Sequence, residues 1–486
     1  MANLLRTFDS GSRKNRENLW ILLGVLLIGA LLAVPLGSSA TTALALIILG
    51  AAAAIYLIFP LRWQLWTIVA IAVYFQPLEA LQLPISQSNV HLLDLFVAMT
   101  LFGWLARWAL QLHTFRLTQR SGYLLLGILA ILLFPALVGL LKGNLLITIL
   151  RDMRVPFYYI ALSLLVVSSV RTRDDLFLTL RGIVLVVLPA LVYYFVSWAL
   201  RIPTAEGAST VVLSTGRFLR YGLVTSWEYL LFCWLMGVAF FLTGEVPPRW
   251  RPWLALLTLS CTVALMALLV RGIYLGMISG VLTIVLFSHW MRKPQRVLSA
   301  GLILLVLGGL LVVADAAAGT GLIRAVSERA ASIVDPSAST SSSAANRETR
   351  LETTRFISNA ARGASNPFIG AGYGDRGSFA YSRASELQAL FRHSAYSWLF
   401  YRIGLVQGIL ILLLFGVIAL RAGRLVWRME NSLLRGTIVT ILAAFIANFF
   451  VGLGNNTIFD FFGAFSVQVV VALALLLKLD LLLESH

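Results

Sequence analysis

The sequence predicts an all-α polytopic membrane protein with about 12–14 transmembrane helices. Of its 486 residues, 59% are hydrophobic and only 12% are charged, and the mean hydropathy is +0.88. A soluble domain is about half apolar and about a quarter charged. The apolar residues also form long runs with few charges, and about 20 such residues in a helix cross the roughly 30 Å hydrocarbon core of a bilayer. These observations exclude a water-soluble enzyme.

About fourteen apolar runs are candidate spans, and the two shortest, at 63–76 and 155–170, account for the predicted range. The runs lie at residues 19–36, 41–60, 63–76, 92–112, 122–141, 155–170, 176–200, 224–243, 253–270, 273–290, 297–314, 396–419, 433–453 and 459–482. A basic segment precedes the first run, as in a signal peptide, but no clear small-residue cleavage site follows. We therefore expect the first run to be a retained helix.

Basic residues mark one side of the membrane. With the N-terminus in the cytoplasm and strict alternation of the spans, the short basic loops fall on the cytoplasmic side, as the positive-inside rule requires. These loops carry Arg62, Arg116, Arg120, Arg171, Arg173, Arg249, Arg251, Arg292, Lys293, Arg296, Arg421, Arg424 and Arg428. The pattern predicts that both termini are cytoplasmic.

The opposite side receives the remaining loops. They lie at about 77–91, 142–154, 201–223, 271–272 and 315–395, with a short turn near Asn455. Loops beyond about 60 residues cross a membrane largely regardless of charge, so the arginines of the long loop do not oppose this topology. The chain therefore divides into an N-terminal transmembrane bundle (1–314), a loop domain (315–395) and C-terminal transmembrane helices (396–486).

The net charge of +17 does not indicate nucleic-acid binding, because no binding pattern accompanies it. Of the 38 basic residues, all but four are arginine, whose planar guanidinium suits phosphate and pyrophosphate. Cys233 and Cys261 lie in different apolar runs and are expected to be buried rather than paired or metal-bound. The expected partners at this point are membrane lipids.

His393 is the leading candidate for proton transfer. It lies at the end of the long outer loop, directly before the predicted span at 396–419, where a side chain can face a cavity between helices. An imidazole there can act as a general base near neutral pH. The alternative is an interfacial histidine whose hydrogen bonds are satisfied by the backbone or water.

Arginines on the outer side form a second candidate site. Arg271 joins two predicted spans almost without a loop, Arg217 and Arg220 precede the span at 224–243, and Arg151 and Arg154 precede the span at 155–170. Each can be a snorkelling interface residue. Several at one membrane depth can instead hold the phosphate groups of a lipid substrate.

Glu228 and Arg402 lie one to two turns inside predicted spans, where charges tend to face a bundle interior or a wet cavity. Both are therefore candidate cavity residues, and an ion pair that holds helices together is the alternative. The sequence contains no pattern for a metal site, a nucleotide phosphate loop or paired metal-binding cysteines. No metal and no cofactor are expected.

The run Asn366–Gly374, followed by His393–Tyr396, Gly404 and Gly408, resembles the signature region of the bacterial O-antigen ligase and polymerase superfamily. The family pattern is N/H-P-hydrophobic-hydrophobic-G-x-G-x-G, then a histidine usually followed by Asn, then a helix with G-x-x-x-G spacing. Arg271–Gly276 is similar to the Arg-Gly-rich helix start of the family. Ser394 replaces the usual Asn, and Tyr401–Arg402 stands where an Ala-Glu-like pair is common.

The resemblance implies a metal-independent, inverting glycosyltransferase of the GT-C type in the bacterial inner (cytoplasmic) membrane, with its active site facing the periplasm. Its donor is a glycan on undecaprenyl pyrophosphate. His393 takes the general-base role, and Arg217, Arg220 and Arg271 take the pyrophosphate-binding role. In the ligase branch, which we favour, the acceptor is a hydroxyl of the lipid A core.

Two other functions are open at this stage. An O-antigen or exopolysaccharide polymerase uses the same donor but extends a second lipid-linked repeat. A transporter or flippase for an anionic lipid fits a polytopic protein, although we see no internal repeat of the kind common in transporters. The Gly-rich turn is expected to position the loop rather than to bind phosphate, since a lone G-x-G-x-G is weak evidence for a nucleotide site.

Overall fold

The computed structural model of the chain describes the central and C-terminal helices and the Gly-rich segment. The described residues are 56–57, 59–74, 83–85, 88–90, 92–110, 116–200, 211–213, 216–218, 227–243, 248–268, 270–287, 324, 326–327, 368–375, 395–429, 432–453, 458–459 and 464–484. The predicted spans at 19–36 and 297–314, nearly all of 41–60 and most of the loop at 315–395 lie outside them.

Helices make up nearly all of the described chain. They are α1 (Leu61–Tyr74), α2 (Leu92–Ala109), α3 (Gln119–Leu141), α4 (Leu146–Asp152), α5 (Arg154–Ser169), α6 (Arg173–Ala199), α7 (Trp227–Thr243), α8 (Arg251–Ala267), α9 (Arg271–Phe287), α10 (Ala395–Arg402), α11 (Leu405–Arg428), α12 (Ser432–Val451) and α13 (Ala464–Glu484). A short 3₁₀ turn, Pro248–Trp250, leads into α8. Two antiparallel hairpins occur in loops that the sequence predicts on the outer side: β1 (Leu83–Ile85) pairs with β2 (Ser88–Val90), and β3 (Val211–Leu213) pairs with β4 (Gly216–Phe218).

Six of the described helical segments are long and apolar enough to cross a membrane, judged by length and composition. They are α3, α6, the turn and helix at Pro248–Ala267, α11, Leu433–Val451 of α12 and Ser466–Leu483 of α13. Shorter apolar helices are α1, α5, α7 and Gly272–Phe287 of α9. The coarse expectation of a helical, polytopic membrane protein is therefore confirmed.

Helices α12 and α13 form the centre of the described bundle. In their most apolar windows 78% and 83% of the residues are buried, against 28% in α11 and 22% at Pro248–Ala267. The outer helices expose leucine and isoleucine side chains, which is the surface that a lipid environment stabilises. Helix α12 packs against α7 and α9, and α13 packs against α5.

Small residues allow α9 to approach its neighbours closely. Gly276 and Gly280 are four residues apart and face α7 and α12: a Cβ on Gly276 would lie 2.6 Å from Val451 Cγ2, and one on Gly280 would lie 2.4 Å from Leu235 Cδ2. Such small-residue spacing is typical of packed membrane helices. The hydrophobic effect does not drive helices together within lipid, so they associate through van der Waals contacts, which small residues allow by close approach of the backbones. The start of α9 is thereby held beside the end of α12.

Ion pairs distinguish the two ends of the bundle. At one end, the basic end, Arg62 pairs with Asp175 and Arg421 pairs with Asp480. At the other, the loop end, Arg154 Nη2 lies 2.8 Å from Asp94 Oδ2, and Arg402 pairs with Asp152. The described short basic loops meet at the first end, and segments 142–154 and 368–375 meet at the second. The described loops group as the sequence predicts, and the assignment of the two ends to the two sides of a membrane stays a prediction.

One predicted span is misplaced. The sequence predicts a single helix over 396–419, but the described helix α10 stops at Arg402 and α11 begins at Leu405 and continues to Arg428. Gly404 lies between them with a φ of +91°, a left-handed conformation that glycine adopts at little cost. The span is therefore α11, and α10 belongs to the loop end. Helix α4 also lies within the predicted loop at 142–154.

Candidate functional site at the loop end

The Gly-rich segment, residues 368–375, is packed against membrane helices at the loop end. Gly370, Gly372 and Gly374 have φ values of +81°, +80° and +77°. Left-handed backbone of this kind disfavours residues with a Cβ, which explains why glycine recurs at every second position. The intervening residues Ala371 and Tyr373 are buried.

Each of the three glycines contacts a different part of the bundle. A Cβ on Gly370 would lie 2.5 Å from the backbone N of Gly404, and one on Gly372 would lie 2.7 Å from the backbone N of Gly139 in α3. A Cβ on Gly374 would lie 2.7 Å from Thr148 Oγ1 in α4. The G-x-G-x-G spacing therefore lets one short segment contact α3, α4 and the α10–α11 junction at backbone distance.

Four consecutive N–H groups of this segment donate to acceptors within the protein. The bonds are Ala371 N to Tyr401 O (2.8 Å), Gly372 N to Arg402 O (3.1 Å), Tyr373 N to Pro135 O (2.9 Å) and Gly374 N to Asp152 Oδ2 (2.8 Å). A phosphate-binding loop directs its free N–H groups at the ligand. Because these N–H groups already have acceptors within the protein, the segment holds the chain against the membrane helices. This agrees with the interpretation that the Gly-rich turn positions the loop and does not bind phosphate.

Side chains from residues 142–148 bind the carbonyl groups of the same segment. Lys142 Nζ donates to Gly370 O (2.9 Å) and Ala371 O (3.3 Å). Asn144 Nδ2 donates to Tyr373 O (2.8 Å) and Thr148 Oγ1 donates to Gly374 O (3.2 Å). Partial burial lowers the pKa of Lys142, and the nearby carboxylate of Asp375 opposes that shift.

Tyr373 anchors the segment deep in the bundle. Its side chain is fully buried, its hydroxyl donates to Leu132 O (2.8 Å), and its ring centroid lies 6.1 Å from that of Trp398. Burial, with a further contribution from Asp152, holds the pKa of the phenol well above its usual value. The hydroxyl therefore remains a neutral donor at every physiological pH.

A buried charged network lies beneath the turn. Arg402 Nη2 is 3.2 Å from Asp152 Oδ2, and each residue is less than 10% exposed. Arg402 Nη1 also donates to Gly372 O (3.2 Å) and Asp375 O (2.7 Å). Tyr401 donates its hydroxyl to Asp375 Oδ2 (2.7 Å). The network joins both flanks of segment 376–394, which carries His393.

His393 lies outside the described residues, but its flanking helix is fixed at the loop end. Ala395, two residues later, donates its N–H to Gly452 O at the end of α12 (3.0 Å), and Tyr396 donates its hydroxyl to Phe449 O (2.9 Å). Arg271 is the first residue of α9, and its side chain is likewise outside the described part. Gly276, five residues on, contacts Val451. The starts of α9 and α10 thus both lie against the end of α12.

The other predicted pyrophosphate ligands are described only in part. Arg217 lies in β4 opposite Val212, with a side chain outside the described residues, and Arg220 lies wholly outside them. Their hairpin precedes α7, whose first turn contains Glu228. The roles of both arginines stay predictions.

The candidate cavity residues have different environments. Glu228 is fully buried near the start of α7. Arg154 pairs with Asp94, which also accepts from the Tyr158 hydroxyl (2.8 Å), and Arg402 pairs with Asp152. Both of these described ion pairs agree with the alternative to a cavity role, namely that the charged residues hold helices together. The Arg151 side chain is exposed.

Sequence reasoning missed several residues of this network. Asp152 and Lys142 stand in the predicted outer loop at 142–154, and Tyr373 stands within the Gly-rich run. One signal in the sequence could have identified Asp152: it is an acidic residue between Arg151 and Arg154, in a loop predicted on the same side of the membrane as the long loop. Within the described residues, no group of three His, Cys, Asp or Glu side chains is placed to hold a metal ion.

Comparison with known proteins yields no match: neither protein-family models nor curated protein sequences match this chain.

Proposed function

We propose that this chain is an O-antigen ligase: a metal-independent, inverting glycosyltransferase of the bacterial inner membrane. Its donor is a glycan on undecaprenyl pyrophosphate, and its acceptor is a hydroxyl of the lipid A core on the periplasmic side. The basic end faces the cytoplasm and the loop end faces the periplasm, since short basic loops are retained on the cytoplasmic side.

The observation that carries the proposal is the meeting of α9 and α10 at the end of α12. Arg271 precedes Gly276 by five helical residues, about 7.5 Å along the axis. His393 precedes Ala395 by two residues, which reach at most about 7 Å. Gly276 and Ala395 contact the neighbouring residues Val451 and Gly452, so the chain leads to both candidate residues from the same end of α12. This supports a shared role in one reaction.

The chemistry needs two kinds of group. Pyrophosphate leaves once its developing negative charge is neutralised, and guanidinium groups provide that charge in fixed, bidentate geometry. The acceptor hydroxyl must lose a proton as it attacks the sugar carbon, and an imidazole accepts it. In this proposal Arg271, with Arg217 and Arg220, holds the diphosphate, and His393 is the base.

The Gly-rich segment and the Asp152–Arg402 pair position this base. They hold residue 375 and residue 402 together, so that the intervening segment is closed at both ends. Fixing the two ends of a segment lowers the conformational entropy that is lost when a substrate binds to it. The G-x-G-x-G run therefore supports catalysis without contacting the phosphates.

The test is a transfer assay with purified full-length protein, undecaprenyl-pyrophosphate glycan and lipid A core. The wild-type protein should form glycosylated core, and His393→Ala should abolish transfer. His113→Ala is the matched control and should retain activity, because His113 follows the predicted span at 92–112 in the short basic loop of Arg116, which is predicted on the cytoplasmic side. Full activity of His393→Ala in a folded protein would remove the proposed base.

The same transfer assay, run with two variants of Arg271, tests the proposed pyrophosphate site. Arg271→Ala should impair use of the donor more than Arg271→Lys, because lysine keeps the charge and loses the bidentate geometry. Wild-type rates for both variants would refute the proposed role of Arg271.

The same assay separates the alternative functions. Supplying a second lipid-linked repeat in place of lipid A core distinguishes a polymerase, which extends the repeat, from a ligase, which does not. Movement of the lipid across vesicles without any glycosidic product would instead indicate a transporter or flippase.

A further inference from the structure

The end of α3 and the segment that joins it to α4 expose large apolar side chains at the loop end. Leu141, the last residue of α3, is 80% exposed, and four further residues before and within α4 are 54–60% exposed. We call the group the apolar patch; it consists of Leu141, Leu145, Leu146, Ile147 and Leu150. Exposed apolar groups of this kind mark contacts with a membrane or with another protein, because soluble surfaces rarely carry them.

The polar side chains of the same segment face the protein. Asn144 Nδ2 donates to Tyr373 O (2.8 Å), Thr148 Oγ1 donates to Gly374 O (3.2 Å), and Asp152 is buried in its ion pair. A loop in water has the opposite arrangement, with polar side chains in the solvent and large apolar ones buried. The inverted arrangement is the one that a lipid environment stabilises.

Helix α4 shows this division around its own axis. Its three residues of the apolar patch stand at positions i, i+1 and i+4, so they lie within about 100° of each other around the helix. Ile149 and Asp152 are buried instead: a Cβ on Gly374 would lie 2.8 Å from Ile149 Cγ1, and Asp152 Oδ2 accepts the Gly374 N–H. These contacts with the Gly-rich segment determine which side of α4 is turned outward.

Backbone groups of the turn between α3 and α4 are paired within the protein. The N–H groups of residues 142, 143 and 144 donate to carbonyl groups in the last turn of α3, at Val138, Leu140 and Gly139 (3.0 Å each). Gly143 has a φ of +73°, the left-handed conformation that commonly closes a helix C-terminus. Backbone at a lipid boundary must be paired in this way, because water is scarce there.

The apolar patch continues the exposed side of a helix that is long and apolar enough to cross a membrane. Helix α3 exposes Leu133, Leu137 and Leu140, which lead at helical spacing to Leu141. Its 23 residues extend about 34 Å, close to the roughly 30 Å hydrocarbon thickness of a bilayer. When α3 spans the bilayer, Leu141 therefore lies at the edge of the hydrocarbon, and α4 follows at that level.

We propose that the apolar patch inserts into the lipid leaflet at the loop end. Helix α4 then lies in the interface as a short amphipathic helix, and the patch contacts phospholipid acyl chains just below the head groups. Continuity with the exposed side of α3 assigns the patch to lipid rather than to a second copy of the chain. This inference concerns membrane contact and does not depend on glycan transfer.

The test measures the depth of spin labels by power-saturation electron paramagnetic resonance in vesicles of phosphatidylethanolamine and phosphatidylglycerol. The full-length protein, with Cys233 and Cys261 replaced by alanine, carries one label, at residue 146 or at residue 150. Collisions of the label with oxygen, which concentrates in hydrocarbon, are compared with collisions with a water-soluble nickel chelate. A label at Leu137, one turn before Leu141, is the lipid control, and a label at the exposed Asp174 is the water control.

Labels at residues 146 and 150 should collide more with oxygen than with the nickel chelate, at a depth of about 5–10 Å below the head-group boundary. Nickel access equal to that at residue 174 would show that the patch lies in water and would overturn the proposal. Protection from both reagents, with dipolar coupling between two labels, would show that a second copy covers the patch and would also overturn it. A label at Ile147, in the same patch, gives the same reading where either of the other substitutions prevents folding.

Discussion

Asp152 and Arg402 form a buried ion pair that joins two distant parts of the chain at the loop end. Oδ2 of Asp152 lies 3.2 Å from Nη2 of Arg402 and also accepts the N–H of Gly374 at 2.8 Å. One carboxylate oxygen therefore links α4, the Gly-rich segment and α10. Removing one partner takes the opposite charge away from a buried ion, and this loss costs more than the intact pair contributes to stability.

Asp152→Ala should lower the free energy of unfolding by about 3 kcal/mol, because the Arg402 guanidinium loses the carboxylate with which it pairs and the Gly374 N–H loses its acceptor. The measurement is thermal or denaturant unfolding of the purified protein in detergent. Asp174→Ala is the control, because Asp174 is exposed, and it should cost less than about 1 kcal/mol. Equal effects of the two substitutions would show that the pair does not stabilise the fold.

Gly372→Ala should disrupt docking of the Gly-rich segment and reduce glycan transfer strongly. The new Cβ would lie 2.7 Å from the backbone N of Gly139 and would occupy a position with a φ of +80°. We expect a loss of at least about tenfold in activity, because the segment positions the proposed base.

Gly416→Ala is the matched control for this substitution. Gly416 lies inside α11, and a Cβ there meets no atom within 4 Å. Alanine has the higher helix propensity, so this variant should be neutral or slightly more stable. If Gly372→Ala behaves in the same way as Gly416→Ala in transfer assays and unfolding, the docking of the segment is not needed.

Lys142 should make stability rise with pH in the alkaline range. Because its folded-state pKa is lowered from 10.5, the unfolded chain binds more protons between the lowered value and 10.5. Charged Lys142 thus opposes folding at lower pH, and the penalty disappears as pH rises through this window. The Tm difference between wild type and Lys142→Gln should therefore move in favour of wild type from neutral pH towards pH 10.5. A constant difference would contradict the shift.

Glycan transfer should continue in the presence of a chelator. The proposed chemistry neutralises the pyrophosphate with guanidinium groups. Transfer rates measured with and without excess chelator should agree. Loss of turnover that is restored by added magnesium or manganese would contradict a metal-independent reaction.

The fold was predictable where the signal is local. Long apolar runs predict α3, α6, α12 and α13, because this signal depends on residues close together in sequence. The break at Gly404 was missed because a glycine within an apolar run also fits the close packing of a continuous helix. Its φ of +91° and its contacts with Ile369 and Gly370 show that it is a turn.

The candidate site was predictable only in part. The G-x-G-x-G run predicts a turn, but its partners Pro135, Asp152 and Arg402 are distant in sequence, and Asp152 and Gly374 have a sequence separation of 222. No periodicity encodes which distant acid meets a given arginine. The sequence thus locates the segment, and tertiary packing determines what it binds.

The most direct test of the central claim is the distance between residues 271 and 393, measured by pulsed electron paramagnetic resonance. Spin labels are attached to cysteines at these positions, with Cys233 and Cys261 replaced by alanine, and a pair at 271 and 424 spans the two ends as a control. We predict a distance below about 25 Å for the first pair, from the chain lengths that tether both residues to α12. A distance of about 30 Å or more, comparable to the control and to the hydrocarbon thickness, would place them at opposite ends and contradict the account.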